Sequence, residues 1–82
     1  MRYLDMDFDT FNEAMTVFGD DNALYMSDER HSQYEERFIV IGKSEESNLL
    51  MVCHCYRDGD LVIRIISARK ATRPEMKLYG GV

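Results

Sequence analysis

The sequence predicts an α+β fold, an antiparallel meander of three to four strands packed by an N-terminal and a C-terminal helix. Three long apolar segments follow one another in its middle, each separated from the next by a short polar turn. A segment with helical apolar periodicity precedes them, and a helix-capping pattern follows them. Because 82 residues leave room for only one small domain, we expect residues 1–82 to form a single domain.

The first predicted helix extends from Phe8 to Phe18. Its large apolar residues recur at spacings of three and four, which is typical of one face of a helix. They are Phe8, Phe11, Met15 and Phe18. Thr10 and Glu13 have the spacing of a capping box, in which each side chain satisfies the other residue's free backbone amide. Gly19 then predicts the end of the helix.

One short and three long strands are predicted after this helix. A turn at 20–22 leads into the short strand, and the polar segment Ser27–Glu35 is expected to form a loop. The strands are predicted at Ala23–Met26, Arg37–Lys43, Leu49–Tyr56 and Leu61–Ser67. Between the last two, Arg57–Asp60 contains an Asp-Gly pair, the dipeptide that favours a tight hairpin turn.

A second capping box predicts the C-terminal helix. Thr72 and Glu75 have the required spacing, so the helix should begin just after Thr72. It is expected to end near Leu78 or Tyr79, because Gly80–Gly81 follows and glycine commonly stops a helix.

The distribution of charge limits the classes of function. The net charge is −5, but residues 1–36 carry −8 whereas residues 57–82 carry +3. The overall negative charge argues against a non-specific nucleic-acid coat, while a local basic site on the C-terminal part stays open. No apolar run approaches the roughly 18–20 residues of a membrane span, and the acidic start does not fit a signal peptide. We therefore expect a cytoplasmic protein without membrane contact.

Two cysteines flank a histidine in the second long strand. Cys53 and Cys55 should share a strand face, and a disulfide between them would distort the strand, so free thiols are expected. The Cys-His-Cys order can suggest a metal, but His54 would face away from both thiols and zinc prefers four ligands. Small buried cysteines are the alternative that we favour, and we expect no metal and no cofactor.

Three arginines in the last strands are candidates for phosphate binding. Arg64 interrupts an apolar strand, Arg57 ends the preceding strand, and Arg69 is expected just past the end of the last one. Guanidinium groups bind phosphate oxygens bidentately, so the three could hold an RNA backbone and stabilise charge at the scissile phosphate. The alternative is structural: Arg64 pairs with a carboxylate, and the other two are surface residues.

His54 is a candidate general acid or base, because the pKa of an unperturbed histidine lies near neutrality. On its strand it should share a face with Leu50, Val52 and Tyr56. The alternative is a hydrogen-bonded packing residue.

Four segments resemble one protein family. They match its patterns F-x-E-A-x-x-V-F, ERF-x-x-IG-x-S, an apolar strand ending in arginine, and IRIISAR-x-A-T-x-x-E…Y. The segments are Phe11–Phe18, Glu35–Ser44, Leu49–Arg57 and Ile63–Thr72, the last followed by Glu75 and Tyr79. On these residues the chain is identified as resembling the BrnT family, the ribonuclease toxins of a bacterial toxin–antitoxin pair.

The resemblance implies a small cytoplasmic toxin with a RelE-like fold that cuts RNA and blocks translation. It implies neutralisation by a BrnA-like antitoxin, and contact with DNA only indirectly through that antitoxin. It also places Arg57, Arg64 and Arg69 on the functional face, acting without a metal, with the RNA 2′-hydroxyl as nucleophile. With His54 these are the expected catalytic residues. The expected RNA-binding residues are Arg37, Lys43 and Lys70.

The sequence departs from the family pattern at its start. Family members begin with a strand holding an aromatic-Trp-Asp segment and then a basic helix, and neither is recognisable here. We expect an uncovered sheet edge or core face as a result, which a homodimer could cover. A non-catalytic relative that binds an antitoxin or homodimerises is the alternative function, since the acidic first third suits a basic partner.

Overall fold

A computed structural model describes residues 7–31, 35–59 and 61–80 of the chain. The elements are α1 (Phe8–Val17), β1 (Leu24–Ser27), a 3-10 turn (Glu29–His31), β2 (Phe38–Lys43), β3 (Leu49–Arg57), β4 (Val62–Lys70) and α2 (Arg73–Gly80). The strands form one antiparallel sheet in the order β1-β2-β3-β4. The predicted α+β meander with two helices is therefore confirmed. Asp60, Gly81 and residues 32–34, which belong to predicted turns and the predicted loop, lie outside the described residues.

Helix α1 begins one turn earlier than its predicted cap. The N-cap is Asp7, whose Oδ1 accepts a hydrogen bond of 2.6 Å from the amide of Thr10. The predicted capping box of Thr10 and Glu13 is wrong. The Asp7 carboxylate caps the helix instead, because it accepts a hydrogen bond from a free amide and its negative charge interacts favourably with the positive end of the helix dipole. Glu13 instead accepts hydrogen bonds from Ser44 Oγ (2.6 Å) and Asn48 Nδ2 (2.7 Å), which fasten α1 to the turn between β2 and β3.

The buried face of α1 differs from the predicted apolar stripe. Ala14 and Val17 have no exposed surface, whereas Phe11 and Met15 are 41% and 40% exposed. Small residues make the contact because α1 lies very close to β2. A Cβ added to Gly42 would stand 2.8 Å from Val17 Cγ1, so this approach requires glycine.

The core lies between α1 and one face of the sheet, which we call the helix face. Its buried residues come from α1 and the three long strands. They are Ala14, Val17, Val40, Leu50, Val52 and Ile65. Four more apolar side chains pack partly buried against them, namely Phe18, Ala23, Ile63 and Ala68. Burial of this surface is the main favourable term for folding.

Strand β4 contains a β-bulge at Ile66. The pairing register passes from Cys53 opposite Ser67 to His54 opposite Ile65, which leaves Ile66 as an extra residue in β4. An extra residue shifts the alternation of side chains by one, so residues before and after it exchange faces relative to a regular strand.

The last strand differs most from its prediction. It spans Val62–Lys70 instead of Leu61–Ser67, so Arg69 lies inside the strand and not past its end. The extension lets β4 pair with β3 from Leu50 to Arg57. Leu61 is 86% exposed and belongs to the hairpin turn. The Asp-Gly pair at 58–59 has φ angles of 54° and 62°, left-handed values that glycine and aspartate adopt more readily than most residues. Because Arg57 pairs with Val62, four residues connect the two strands.

Helix α2 is held mainly through polar contacts and has no buried residue. Its predicted capping box is confirmed: Glu75 Oε1 accepts from the Thr72 amide at 2.8 Å, and Thr72 Oγ1 accepts from the Glu75 amide at 3.4 Å. At its other end the Tyr79 hydroxyl donates to Asp20 Oδ2 at 2.7 Å. Neither helix of the described part of the chain has the length and apolar composition that crossing a membrane requires.

Candidate functional site

The bulge brings the three candidate arginines to one face of the sheet. Arg64 stands opposite Cys55, and Arg69 stands opposite Met51, two positions of β3 on the same face. Arg57 follows Cys55 by two residues and so shares that face as well. In a regular strand Arg64 and Arg69, five residues apart, would point to opposite faces. We call this side of the sheet the arginine face.

A groove of about 420 Å³ opens on the arginine face. Its floor is apolar or thiol-bearing and its rim is charged, with three arginines and two carboxylates. The lining residues are Asp28, Arg30, Arg37, Ile39, Met51, Cys53, Ile66, Ser67, Arg69 and Glu75. A charged rim around a partly apolar floor suits a ligand with both an anionic group and a planar base.

Arg69 is held by a bidentate ion pair at the rim of the groove. Its Nη1 and Nη2 donate to the two oxygens of Glu75, each at 2.8 Å, and Nη1 also donates to the Lys70 carbonyl at 3.2 Å. These contacts raise the pKa of Arg69 and hold the pKa of Glu75 at about 2, with the hydrogen bonds from Arg69 as the main cause. The pair is therefore ionised at every physiological pH.

Arg57 and Arg64 lie towards the hairpin end of the sheet, away from Arg69, whereas Arg37 lines the groove. Arg57 Nη2 bonds Glu35 Oε1 at 3.0 Å, and Arg37 Nε lies 4.0 Å from the other oxygen of Glu35. Arg64 is half-buried one step along β4 from the groove. The five residues from Arg64 to Arg69 span roughly 15 Å of strand, so the two cations are too far apart to bind the same small anion.

His54 lies on the helix face, away from the arginines. It has no exposed surface and is surrounded by aromatic rings, with centroids at 4.9 Å for Phe18 and 5.3 Å for Tyr56. Its Nδ1 lies 3.4 Å from the Val52 carbonyl and its Nε2 3.3 Å from the Tyr56 hydroxyl. Burial lowers its pKa, so the ring is neutral. The structure thus does not bring His54 to the other expected catalytic residues.

The two expected RNA-binding lysines also lie apart from the groove. Lys70 stands opposite Leu50 on the helix face. There its charge helps to lower the pKa of Glu13, after the hydrogen bonds from Ser44 and Asn48. Lys43 ends β2 beside the C-terminal end of α1 and donates its amide to Asp20. Of the expected RNA-binding residues, only Arg37 lines the groove.

Cys53 and Cys55 are free, buried thiols on the arginine face. Burial raises the pKa of the Cys53 thiol, and the carboxylate of Asp28, whose Oδ2 lies 3.8 Å from Cys53 Sγ, raises it further. Within the described ranges, no group of three or more His, Cys, Asp or Glu side chains is arranged to hold a metal ion.

Three charged groove residues were not predicted as site residues from the sequence. Asp28 and Arg30 come from a polar loop without periodicity, so no pattern could have marked them. Glu75 was predicted only as a helix cap. Its bond to Arg69 could have been suspected, since the two residues are six positions apart and carry opposite charges.

The comparison with protein families identifies the chain. The family model of BrnT, described as the ribonuclease toxin of a type II toxin–antitoxin system, matches residues 10–75, most of the 82-residue chain. No curated protein matches it significantly. The matched segment includes α1 from Thr10 onward, the whole sheet, and Arg57, Arg64, Arg69 and Glu75. This chain belongs to the BrnT family of ribonuclease toxins of type II toxin–antitoxin systems.

Proposed function

We propose that this chain is an endoribonuclease toxin that cuts RNA at the groove of the arginine face. The observation that carries the proposal is the bulge at Ile66, which gathers Arg57, Arg64 and Arg69 on one face in a member of a ribonuclease family. Arginines spaced along a strand suit a chain of phosphates, because each guanidinium can bind a separate phosphate bidentately.

The proposed reaction is metal-independent attack of an RNA 2′-hydroxyl on the adjacent phosphodiester, which forms a 2′,3′-cyclic phosphate and breaks the bond to the 5′-oxygen of the next nucleotide. The 2′-hydroxyl gives its proton to water, and the leaving 5′-oxygen takes one from water. Arg69, with Arg37 on the opposite rim of the groove, contacts the phosphate that is cut. Negative charge that develops on its oxygens in the transition state is stabilised by the fixed N–H donors. Arg64 and Arg57 bind phosphates further along the RNA, towards the hairpin. His54 has no part in this site, since a side chain without exposed surface cannot meet a substrate.

The biological setting that we propose follows the family. The toxin acts in the cytoplasm as one small domain, blocks translation by cutting RNA, and is neutralised by a BrnA-like antitoxin. Its contact with DNA is indirect, through the DNA-binding part of that antitoxin. The support is the family match, because a type II toxin is paired with a protein antitoxin.

Incubation of the purified protein with total RNA in a chelator tests the proposed reaction. We expect the wild type to cleave RNA. Arg69→Ala should lower the rate at least about a hundredfold, whereas Arg64→Ala should mainly raise KM. Lys77→Ala, an exposed change on α2 outside the groove lining, is the matched control. Equal cleavage by the wild type and Arg69→Ala would contradict the site.

A second candidate function is a non-catalytic module that binds an antitoxin or a second copy. The observation that favours it is that Arg57 and Arg69 both stand in ion pairs, which offsets part of their charge. Expression without an antitoxin separates the two candidates. Growth arrest that a cognate antitoxin relieves supports the ribonuclease toxin, whereas harmless expression and a dimer in sedimentation support the module.

A further inference from the structure

The geometry points to Glu75 as the residue that positions Arg69 for the scissile phosphate, an inference that rests on the proposed function. An arginine side chain has several rotatable bonds, and an unrestrained one must be ordered when the phosphate binds. Here two parallel hydrogen bonds of 2.8 Å, which Arg69 donates to Glu75, already fix the plane of the Arg69 guanidinium at the rim of the groove.

Glu75 can hold Arg69 in place because Glu75 is itself fixed. Its Oε1 accepts from the Thr72 amide at 2.8 Å as well as from Arg69, and its own amide donates to Thr72. The orientation is thus transmitted from the first turn of α2 to the carboxylate and from there to the guanidinium. The same carboxylate that begins the helix therefore sets the direction of the Arg69 donors.

The pairing leaves Arg69 able to bind an anion. A guanidinium has five N–H groups, and the hydrogen bonds to Glu75 and the Lys70 carbonyl use three of them. Among the described residues nothing else accepts from Arg69, so two N–H groups are available for phosphate oxygens. Donors that are aligned before the reaction stabilise the transition state more than donors that must be reoriented.

Two other roles for the ion pair predict different results. If Glu75 masks Arg69, its removal should speed cleavage, because the cation is released to the phosphate. If the pair only anchors α2, any change that weakens the attachment of α2 should slow cleavage to a similar extent. The Tyr79 hydroxyl provides that comparison, since it holds the other end of α2 through Asp20, and neither Tyr79 nor Asp20 lines the groove.

The test is single-turnover cleavage of a short RNA by the full chain, with binding measured separately on 2′-O-methyl RNA that cannot be cut. Glu75→Gln keeps an oxygen for the Thr72 amide but cannot accept the two parallel, charged hydrogen bonds from Arg69. We expect it to slow cleavage at least about tenfold, while RNA binding is unchanged or tighter because a negative charge has been removed. Tyr79→Phe should lower the melting temperature and cleave close to the wild-type rate.

Two more variants guard the interpretation. Arg69→Lys keeps the positive charge and leaves Glu75 in place, but a lysine cannot form the two parallel hydrogen bonds to Glu75. It should therefore slow cleavage as Glu75→Gln does, and it takes the place of that variant if Glu75→Gln does not fold. The double variant Arg69→Ala/Glu75→Gln should cut no more slowly than Arg69→Ala alone, because Glu75 acts only through Arg69. Additive losses would overturn the inference.

The failures are distinguishable. Wild-type protein that cuts no RNA contradicts the proposed function and, with it, this inference. Wild-type cleavage together with an unchanged or faster rate for Glu75→Gln, or an equal loss in Tyr79→Phe, overturns the positioning role of Glu75 and leaves the ribonuclease standing.

Discussion

The carboxylate of Glu75 connects one strand, one helix and the groove through a single side chain. It accepts hydrogen bonds from Arg69 in β4 and from the Thr72 amide at the start of α2. Because α2 has no buried residue, polar contacts of this kind carry much of its attachment. The ionisation of Glu75 should therefore affect stability as well as the site.

The stability of the fold should depend on pH through Glu75. Pairing with Arg69 lowers the pKa of this carboxyl from 4.5 to about 2 in the folded chain. A lowered pKa means that the pair stabilises the fold above pH 4.5, and that this stability is lost as the pH falls from 4.5 towards 2. Glu75→Gln should thus melt below the wild type at pH 6, with the difference shrinking at pH 2.5. Circular dichroism measures both melting temperatures. An equal difference between the two proteins at pH 6 and pH 2.5 would contradict this coupling.

A second pH dependence should come from His54. Burial lowers its pKa below the usual 6.5, so the unfolded chain binds a proton more readily than the folded one. Stability should therefore decrease as the pH falls below about 6.5. His54→Phe, which keeps a ring among the aromatic neighbours, should remove that decrease, while His31→Gln controls for the other histidine in the sequence. Urea denaturation at pH 7.5 and 5.5 measures the free energy of unfolding at each pH. The same decrease with pH in His54→Phe as in the wild type would refute the prediction.

At the scale of elements, α1 shows what periodicity can and cannot predict. The helix and its position follow from the spacing of its apolar residues, but the buried side carries Ala14 and Val17, not Phe11 and Met15. The reason lies outside the helix. Gly42 in β2 allows an approach so close that only small side chains fit between the two elements. The sequence of the helix alone does not predict which strand it packs against or how closely the two elements approach.

The close approach of α1 to β2 predicts a cost for any side chain at position 42. Gly42→Ala would place a Cβ 2.8 Å from Val17 Cγ1 and 3.1 Å from Ala23 Cβ. We expect a loss of about 1–3 kcal/mol in the free energy of unfolding, as for other overpacked cores. Gly80→Ala, where nothing lies within 4 Å, is the control and should be nearly neutral. Chemical denaturation of both variants decides, and equal stabilities would show that α1 can move aside.

The strands were predictable to within a few residues, whereas the faces of β4 were not. Continuous apolar runs, an Asp-Gly turn and a capping box mark the ends of the elements. The bulge at Ile66 leaves no such mark, because apolar residues surround it on both sides. It decides whether Arg64 and Arg69 share a face. The arginines could thus be chosen from the sequence, but their grouping on one face depends on a pairing register.

For the whole molecule, the net charge of −5 restricts RNA binding to a local site. Most carboxylates lie in the first 36 residues, and their repulsion opposes phosphate binding wherever no arginine compensates for it. A protein of this kind should release few counterions on binding. The number of phosphates that it contacts is therefore small and can be measured.

The salt dependence of RNA affinity should reveal two or three phosphate contacts. Each contact with a single strand contributes about 0.7 to the slope of log K against log salt, so we expect a slope of about −1.4 to −2.1 for uncleavable 2′-O-methyl RNA. Arg64→Ala should reduce the magnitude by about 0.7, because a charge that meets its own phosphate is lost. Lys77→Ala, on the exposed surface of α2, should leave the slope as it is. A slope that Arg64→Ala does not change would remove Arg64 from the RNA path, and a slope steeper than about −4 would mean that phosphates bind well beyond the arginine face.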